Sequence, residues 1–399
     1  MKVLLFPASY APVVGGLQTV AQSLAKNLRL RGHEVRVVTN RYPRSLRPHE
    51  EIDGVRVDRL LLLEPQLDLL RRRRLDMFLG SLYYGPQKSR RLNELLKQFQ
   101  PDVVNVHFPD NQIPSILNLQ ARFDFRLVVS LHGHDVQRFV NGDGRKNGAR
   151  ANGRARLSAV LKSADAVTAV SDDLLRKVIT LEPAIAKKTR VIPNGVEASY
   201  FATLVEYQHS RPYILAVGRL VRAKGFDMLV EAFAQSDFTD RPDLIIAGAG
   251  EEFAALQDQV QRLGLTAAVH FFGQASCEDV VKLMNGSVGV VVPSREEAFG
   301  IVALEAVAAG KRLVATETGG MIDLLNDLAQ QNDHTTCAAK DRRIILVPPS
   351  VHGVAAGLHE LLAPTNTECS RNELSIPEKY TWPHVAHEYE RVFLAGRAN

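Results

Sequence analysis

A chain of 399 residues outruns one ordinary hydrophobic core and suits two domains of about 200 residues each. Its 45% hydrophobic and 23% charged residues are typical of a soluble globular protein, and no apolar stretch approaches the roughly 18 residues of a membrane span. The net charge of +5 is modest, no aromatic-interleaved basic motif marks a nucleic-acid binder, and three cysteines (Cys277, Cys337, Cys369) without metal-ligand spacing or even pairing fit structural thiols in a reducing cytoplasm.

Strand-like and helix-like segments alternate along the whole chain, which predicts parallel sheets built from βαβ units. Residues 3–6 form the first predicted strand and enter a turn at Pro7, without the n-region, long h-region and cleavage site of a signal peptide. Strands follow at 34–39, 55–60, 103–107, 126–131, 166–170 and 190–192. A helix over 17–31 carries Leu17, Val20, Ala21, Leu24 and Leu28 on one face. Residues 141–153 read as a loop, and Ser171-Asp172-Asp173 as a helix cap with early acids. The polar stretch 201–212 has no sustained period and is placed as the interdomain linker. The second half restarts with a strand at 213–217 and continues through 244–247, 269–272, 288–292, 313–315 and 344–347. Helices are expected over 226–234 and 300–309, and a final amphipathic one over 382–394. No internal repeat is evident.

Charge is spread unevenly. Arg71, Arg72, Arg73 and Arg74 follow the apolar residues 60–63 and 67–70, and a second basic segment runs from 145 to 156. Two readings stand: solvated surface, or a surface that meets an anionic membrane or an anionic acceptor.

Four groups of residues carry chemistry. Gly15-Gly16 lies in the long turn after the first strand, where a missing Cβ lets backbone amides approach a phosphate; a plain turn is the alternative. It does not match the G-x-G-x-x-G dinucleotide fingerprint, which counts against a nicotinamide enzyme. Arg219 and Lys224 follow the strand 213–217 on a loop opening a helix, as a diphosphate clamp would, with two surface cations as the bland reading. Leu131-His132-Gly133-His134-Asp135 ends the strand 126–131, and its two histidines and one acid lack a convincing further metal ligand. Glu297 and Glu305 stand eight positions apart after the apolar run 288–292. Glu297 is placed in a loop at a strand's carboxyl end, with the N–H groups of Phe299, Gly300 and Ile301 opening the helix behind it. Two carboxylates beside such an anion site suit the hydroxyls of a sugar or ribose, with phosphate on the amides; an exposed loop acid and an ordinary helix glutamate are the alternative.

The E-x7-E spacing with Phe299-Gly300 inside it resembles the retaining glycosyltransferases of family 4, which have the two-domain GT-B fold. Gly15-Gly16, Ile192-Pro193-Asn194-Gly195-Val196, Val217-Gly218-Arg219-Leu220 with Lys224-Gly225, Ala247-Gly248-Ala249-Gly250 and Thr318-Gly319-Gly320 fall where that family has its motifs, in the same order. The resemblance covers essentially the whole chain. It implies an α/β protein of two Rossmann-like parallel-sheet domains facing across a cleft, with the C-terminal helix crossing back to the first domain. Residues 1–204 would be the acceptor-binding domain, 205–378 the nucleotide-sugar-binding domain and 379–399 the returning helix.

The resemblance further implies that Arg219 and Lys224 stabilise the leaving nucleoside diphosphate, Glu305 binds the ribose hydroxyls, and Glu297 with the adjacent amides holds the transferred sugar. His132 would stand close to the donor sugar and its phosphate, a ring N–H supporting either the departing oxygen or a sugar hydroxyl. Gly319-Gly320 would add a close backbone approach near the nucleotide, while Asn194-Gly195 reads as a structural turn. One departure stands out: Gly310-Lys311-Arg312 has Arg where the family commonly has Pro, which puts the rigidity of that loop in question. No Asp-x-Asp occurs, so a metal-dependent GT-A enzyme is unsupported and no metal or cofactor is expected beyond the nucleotide sugar as co-substrate. The expected activity is a retaining, metal-independent hexosyl transfer to a hydroxyl acceptor of unspecified identity. The expected place is the cytoplasm or the inner face of its membrane, reached through Arg71, Arg72, Arg73 and Arg74. The alternatives are a phosphorylase, which would want a cofactor lysine site that the sequence does not offer, and an inactive homologue serving as a nucleotide- or partner-binding scaffold.

Overall fold

The computed structural model describes residues 1–13, 15–62, 75–140, 147–202, 205–237, 241–332, 343–363 and 376–395. The chain divides into two compact units: Met1–Asn194 with Trp382–Asn399, and Gly195–Thr381. The expected boundary at 204/205 therefore falls inside the second unit, and that at 378/379 a few residues before its end.

The first unit holds β1 (Lys2–Pro7), β2 (Glu34–Asn40), β3 (His49–Ile52), β4 (Val55–Leu60), β5 (Val103–His107), β6 (Arg126–Leu131), β7 (Ala166–Ala169) and β8 (Thr189–Val191). Their order across the sheet is β3-β4-β2-β1-β5-β6-β7-β8, parallel throughout except for the antiparallel pair β3–β4. Val3, Leu4, Leu5 and Phe6 are fully buried, as expected of a central strand covered by helices on both faces. The helix Gly16–Leu30 buries Val20, Ala21, Leu24 and Leu28, a stripe at helical spacing. Against it packs the final helix, Trp382–Leu394, which buries Trp382, Val385, Ala386, Tyr389, Val392 and Phe393. The last helix thus returns to the first unit, where Glu390 pairs with Arg31 and His33.

In the second unit β9 (Tyr213–Val217), β10 (Asp243–Ala247), β11 (Val269–Gly273), β12 (Gly289–Val292), β13 (Leu313–Thr316) and β14 (Ile344–Val347) form an all-parallel sheet in the order β11-β10-β9-β12-β13-β14. The core is mostly aliphatic, with Ile214, Ala216, Leu229, Leu244, Ile246, Val291 and Val314 fully or nearly fully buried and Phe226 and Phe233 among them. Both sheets reverse their strand order once, between β1 and β5 and between β9 and β12. In open α/β sheets ligands bind outside the carboxyl ends of the strands at such a reversal, because the flanking connections leave in opposite directions and open a crevice.

Two expectations need correction. Residues 201–212, placed as the interdomain linker, fall within the second unit, where the Tyr207 N–H donates to the Lys282 carbonyl at 2.9 Å and the Tyr207 ring packs edge-on against Tyr213 and Phe272. Residues 147–153, read as loop, begin the helix Asn147–Ser163. The basic run Arg71, Arg72, Arg73 and Arg74 lies outside the described residues, as do Cys337 and Cys369. Cys277 is exposed at the start of the helix Cys277–Gly286, so it is no core residue.

Candidate active site

In the second unit the loops after β9 and β12 leave the sheet at its reversal point, and they carry Arg219, Lys224 and Glu297. After β9 a short 3-10 turn, Arg222–Lys224, ends at Gly225, whose φ of 68° lies in the left-handed region. A Cβ there would stand 2.0 Å from the Pro293 carbonyl oxygen, so only glycine lets the two loops touch. The loops are then stapled together. Arg295 and Glu296 donate backbone N–H groups to the Ala223 carbonyl at 2.8 and 3.2 Å, and the Arg295 guanidinium forks onto Asp227 at 2.5 and 2.9 Å. Burial works against the Asp227 charge, but the Arg295 hydrogen bonds and charge outweigh it and leave that carboxyl below its ordinary range.

This stapling sets Lys224 against Glu297, whose carboxylate takes the Lys224 ammonium directly and the Ser294 hydroxyl at 3.3 Å. The Glu297 carbonyl is held by the Gly320 N–H at 3.1 Å. The Gly320 amide is therefore spent on the protein, positioning Glu297 from behind. Arg219 is exposed, and its guanidinium has no partner among the described residues. Its backbone is anchored from below: the Gly218 and Leu220 N–H groups donate to Ala247 and Ala249 at 3.0 and 2.9 Å. Gly248 permits that crossing, since a Cβ there would meet the Gly218 oxygen at 1.8 Å.

Behind Glu297 the chain turns through Gly300 (φ 99°) into the helix Ile301–Ala308, which has no capping side chain and no acid in its first turn. The Phe299 side chain is buried against Tyr380, so only its backbone can face a ligand. Glu305, one turn into that helix, keeps a little surface exposure, but its carboxyl is largely enclosed and has no hydrogen-bond partner among the described residues. Burial pushes its pKa up to about 7. An enclosed, unpaired carboxyl is costly to keep in a folded chain, and such groups gather where a ligand is to be bound. The departure at Gly310-Lys311-Arg312 leaves no loose loop. Lys311 donates to the Asn285 and Ser287 carbonyls at 2.7 and 2.9 Å, and Arg312 to those of Leu361 and Glu360 at 2.6 and 2.9 Å.

Gly15, Gly16 and His132 lie in the first unit. Gly15 begins the helix Gly16–Leu30, which has no side-chain cap and no acid in its first turn. His132 follows β6, its ring stacked on Phe108 with centroids 4.0 Å apart. Phe108 itself has a φ of 54°, a strained backbone for an aromatic residue and a mark of functional sites. Asp135 accepts the backbone N–H groups of His132 and Gly133, at 3.2 and 2.8 Å, so it shapes the turn. Beneath, His107 ends β5 with Nδ1 3.0 Å from His132 Nε2. Burial drives the His107 pKa down to about 3; burial and then His107 drive that of His132 well below its ordinary value. The Asn194 side chain opposes this in part, without hydrogen-bond geometry to His132 Nδ1, which is left enclosed and unpartnered. Sequence reading missed His107, Asn105 and Phe108; polar residues ending a strand beside a β-sheet reversal were the available signal.

Among the described residues, one further cluster has metal-ligand chemistry. His209 and His270 place Nε2 atoms 2.8 and 3.1 Å from one oxygen of Asp243, at the amino end of β10, away from these loops. Arg211 lies 3.3 Å from the other oxygen, so that buried charge is matched without an ion.

Two Rossmann-like units, each with a helix start open at the sheet reversal, define a GT-B protein. Residues 14–200 match the model of Glycosyltransferase Family 4 and residues 205–368 that of Glycosyl transferases group 1. The chain belongs to this family and is a glycosyltransferase. It is similar to a glycogen synthase of Mycobacterium tuberculosis, 29% identical with 100% of this chain and 95% of that protein covered. Among solved structures it is similar to a sucrose-phosphate synthase from Thermosynechococcus elongatus (TM-score 0.72, 20% identity, 98% of each chain). It is also similar to HepE from Anabaena in complex with UDP and glucose (TM-score 0.69, 18% identity, 99% of this chain and 100% of that one).

Proposed function

We propose that this enzyme moves a hexosyl unit from a nucleoside diphosphate sugar to an acceptor hydroxyl with retention of configuration, without a metal, and binds the nucleotide on its second unit. The observation that carries this reading is the uncapped helix start at Ile301 set between two carboxylates, one unpaired and enclosed (Glu305), the other held by a lysine (Glu297). Glu305 suits the ribose hydroxyls, which supply the donors it lacks. Lys224, with N–H donors to spare beyond Glu297, and the free Arg219 fork suit the diphosphate. The N–H groups of Phe299, Gly300 and Ile301 suit its oxygens, and Glu297 the hydroxyls of the transferred sugar. Gly15 and Gly16, with the open helix start behind them, are proposed as a separate place where backbone amides can approach an anionic group of the donor.

Asp135, the acid beside His132, is occupied by backbone N–H groups, which disfavours a double displacement through it. Same-face attack is therefore favoured, the departing diphosphate oxygen taking the acceptor proton while the two cations and the helix amides stabilise its charge. The test is a screen of the purified chain against uridine, guanosine and adenosine diphosphate sugars, scoring hydrolysis and the anomer of any product. One donor is expected to be consumed with its configuration kept. Inversion overturns the mechanism, and nucleotide binding without turnover of any donor favours the scaffold.

A second reading concerns location. No described helix is long and apolar enough to cross a membrane. The helix Leu75–Phe99, however, leaves Leu75, Leu79, Leu82 and Tyr83 more than half exposed, a stripe at helical spacing directly after the four arginines. An anionic bilayer suits both features, at about 1 kcal/mol for each cation near its surface. Sedimentation with anionic vesicles is expected for the parent and lost when Arg71, Arg72, Arg73 and Arg74 become Gln. Equal, negligible binding by both at low salt reduces the patch to solvated surface.

A further inference from the structure

We propose that Asn105 and His107 are positioning residues that lock His132 in one neutral tautomer, with its proton on Nε2, so that His132 Nδ1 serves its ligand only as a hydrogen-bond acceptor. The argument is a chain of forced donors beginning in the first unit's sheet. Asn105, fully buried on β5, points its Nδ2 at the Val128 carbonyl (3.2 Å) and the Ser130 hydroxyl (2.8 Å). A carbonyl only accepts, so the Asn105 amide has one orientation, and its Oδ1 is an acceptor. His107 Nε2 lies 2.6 Å from that Oδ1 and must donate to it. Burial keeps the His107 ring neutral, so its one proton is spent there and its Nδ1 is a lone pair. His132 Nε2, 3.0 Å from that lone pair, must in turn carry a hydrogen. A neutral His132 then has none on Nδ1, an enclosed atom that the neighbouring Asn194 side chain approaches without hydrogen-bond geometry.

Other contacts hold the relay in register. The Thr168 hydroxyl donates to that of Ser130 at 2.9 Å, and Tyr389 of the final helix joins both. Phe108 stacks flat on His132 and fixes the plane of its ring.

The consequence deepens the glycosyl-transfer reading and rests on it. A bare ring nitrogen repels a phosphate oxygen and receives an O–H, so His132 selects a hydroxyl and gives no proton to the departing diphosphate. Charge on that group is then left to Arg219, Lys224 and the helix amides at Ile301.

The direct test needs no substrate. Two-bond proton–nitrogen correlation on the full chain labelled with nitrogen-15 histidine reports which ring nitrogen carries hydrogen, with assignments from His132→Gln and His107→Gln. His132 and His107 are both expected as Nε2–H tautomers from mildly acid to mildly alkaline pH; a hydrogen on His132 Nδ1, or an imidazolium, overturns the proposal. The second arm uses turnover of the donor found in the screen. His107→Leu is expected to lower kcat about tenfold, the loss of one hydrogen bond, with nucleoside diphosphate affinity unchanged. His107→Gln, whose carbonyl can accept from His132 Nε2, restores most of it. Equal kcat in parent and His107→Leu overturns the positioning role even with the tautomer as expected. If no donor is consumed, the glycosyl-transfer reading fails while the tautomer measurement still decides this one.

Discussion

Glu305 has no hydrogen-bond partner among the described residues, and burial holds its carboxyl near a pKa of about 7 against an ordinary 4.5. A group raised in the folded state contributes stability that is fully present below its unfolded pKa and lost as pH rises through the folded one. Folding stability should therefore fall between about pH 4.5 and about pH 7 and level off above. Glu305→Gln removes this slope. The variant should match the parent near pH 4 and exceed it near pH 8 by at most about 3.5 kcal/mol, since each unit is worth about 1.4 kcal/mol. The same change should weaken nucleoside diphosphate binding by about 1.5–3 kcal/mol, because the ribose hydroxyls lose a charged acceptor. Parent affinity should rise with pH up to about 7, where the carboxyl must shed its proton to accept, and the variant should show less of that rise. Denaturant melts and calorimetric titrations across this range check both halves. A variant that binds as well as the parent and is no more stable at pH 8 removes Glu305 from the site.

Lys224 and Glu297 are 73 positions apart, and what joins them is an element: the pair of loops leaving β9 and β12 where the strand order reverses. The Arg295–Asp227 fork ties those loops, yet both side chains are about a third exposed, so it contributes at most about 1 kcal/mol to folding. Its value is positional. Asp227→Asn should leave the melting temperature nearly unchanged but lower kcat ten- to a hundredfold, roughly the effect of displacing a reacting group by about an ångström. Nucleotide affinity should fall less than turnover, since Glu305 stays in place while the Lys224–Glu297 pair loosens. Unchanged turnover would show that the Ala223 carbonyl bonds alone suffice to hold the loop.

The E-x7-E segment was legible because its strand, loop and helix are contiguous and each obeys local rules; the fork was not, because the pairing depends on which strands become neighbours. The same limit hid the Asn105–His107 relay, whose residues read locally as one more buried strand. Other failures have local causes. β3 is a half-exposed, charged edge strand (His-Glu-Glu-Ile) without an apolar alternation, although the Asp53-Gly54 turn after it is a strong hairpin signal. Residues 147–153 are rich in Gly, Asn and Arg and show no apolar period, so no local signal marks the start of the helix they begin. The Arg at position 312 suggested a loose loop because proline stiffness is visible in a sequence, while cations gripping carbonyls at two helix ends are not.

At the scale of the molecule, the chain begins in the first unit, builds the second, and returns to finish the first with the helix Trp382–Leu394. The first unit's cover therefore comes from the last residues, and a fault there is a fault of the first unit. Phe393 is fully buried beneath that helix, and truncating such a ring costs about 3–5 kcal/mol, a large part of the 5–15 kcal/mol that holds a domain folded. Phe393→Ala should thus lower the melting temperature of the first unit selectively, splitting the calorimetric trace into an early and a late transition. Uridine, guanosine or adenosine diphosphate, whichever the enzyme binds, stabilises only the unit that holds it, by about RT ln(1 + [L]/Kd). The late transition should climb with added nucleotide while the early one stays fixed. Movement of the early transition alone would place the nucleotide on the first unit and overturn the roles proposed for Glu305, Arg219 and Lys224. One transition moving as a whole would show that the two units unfold as a single cooperative body.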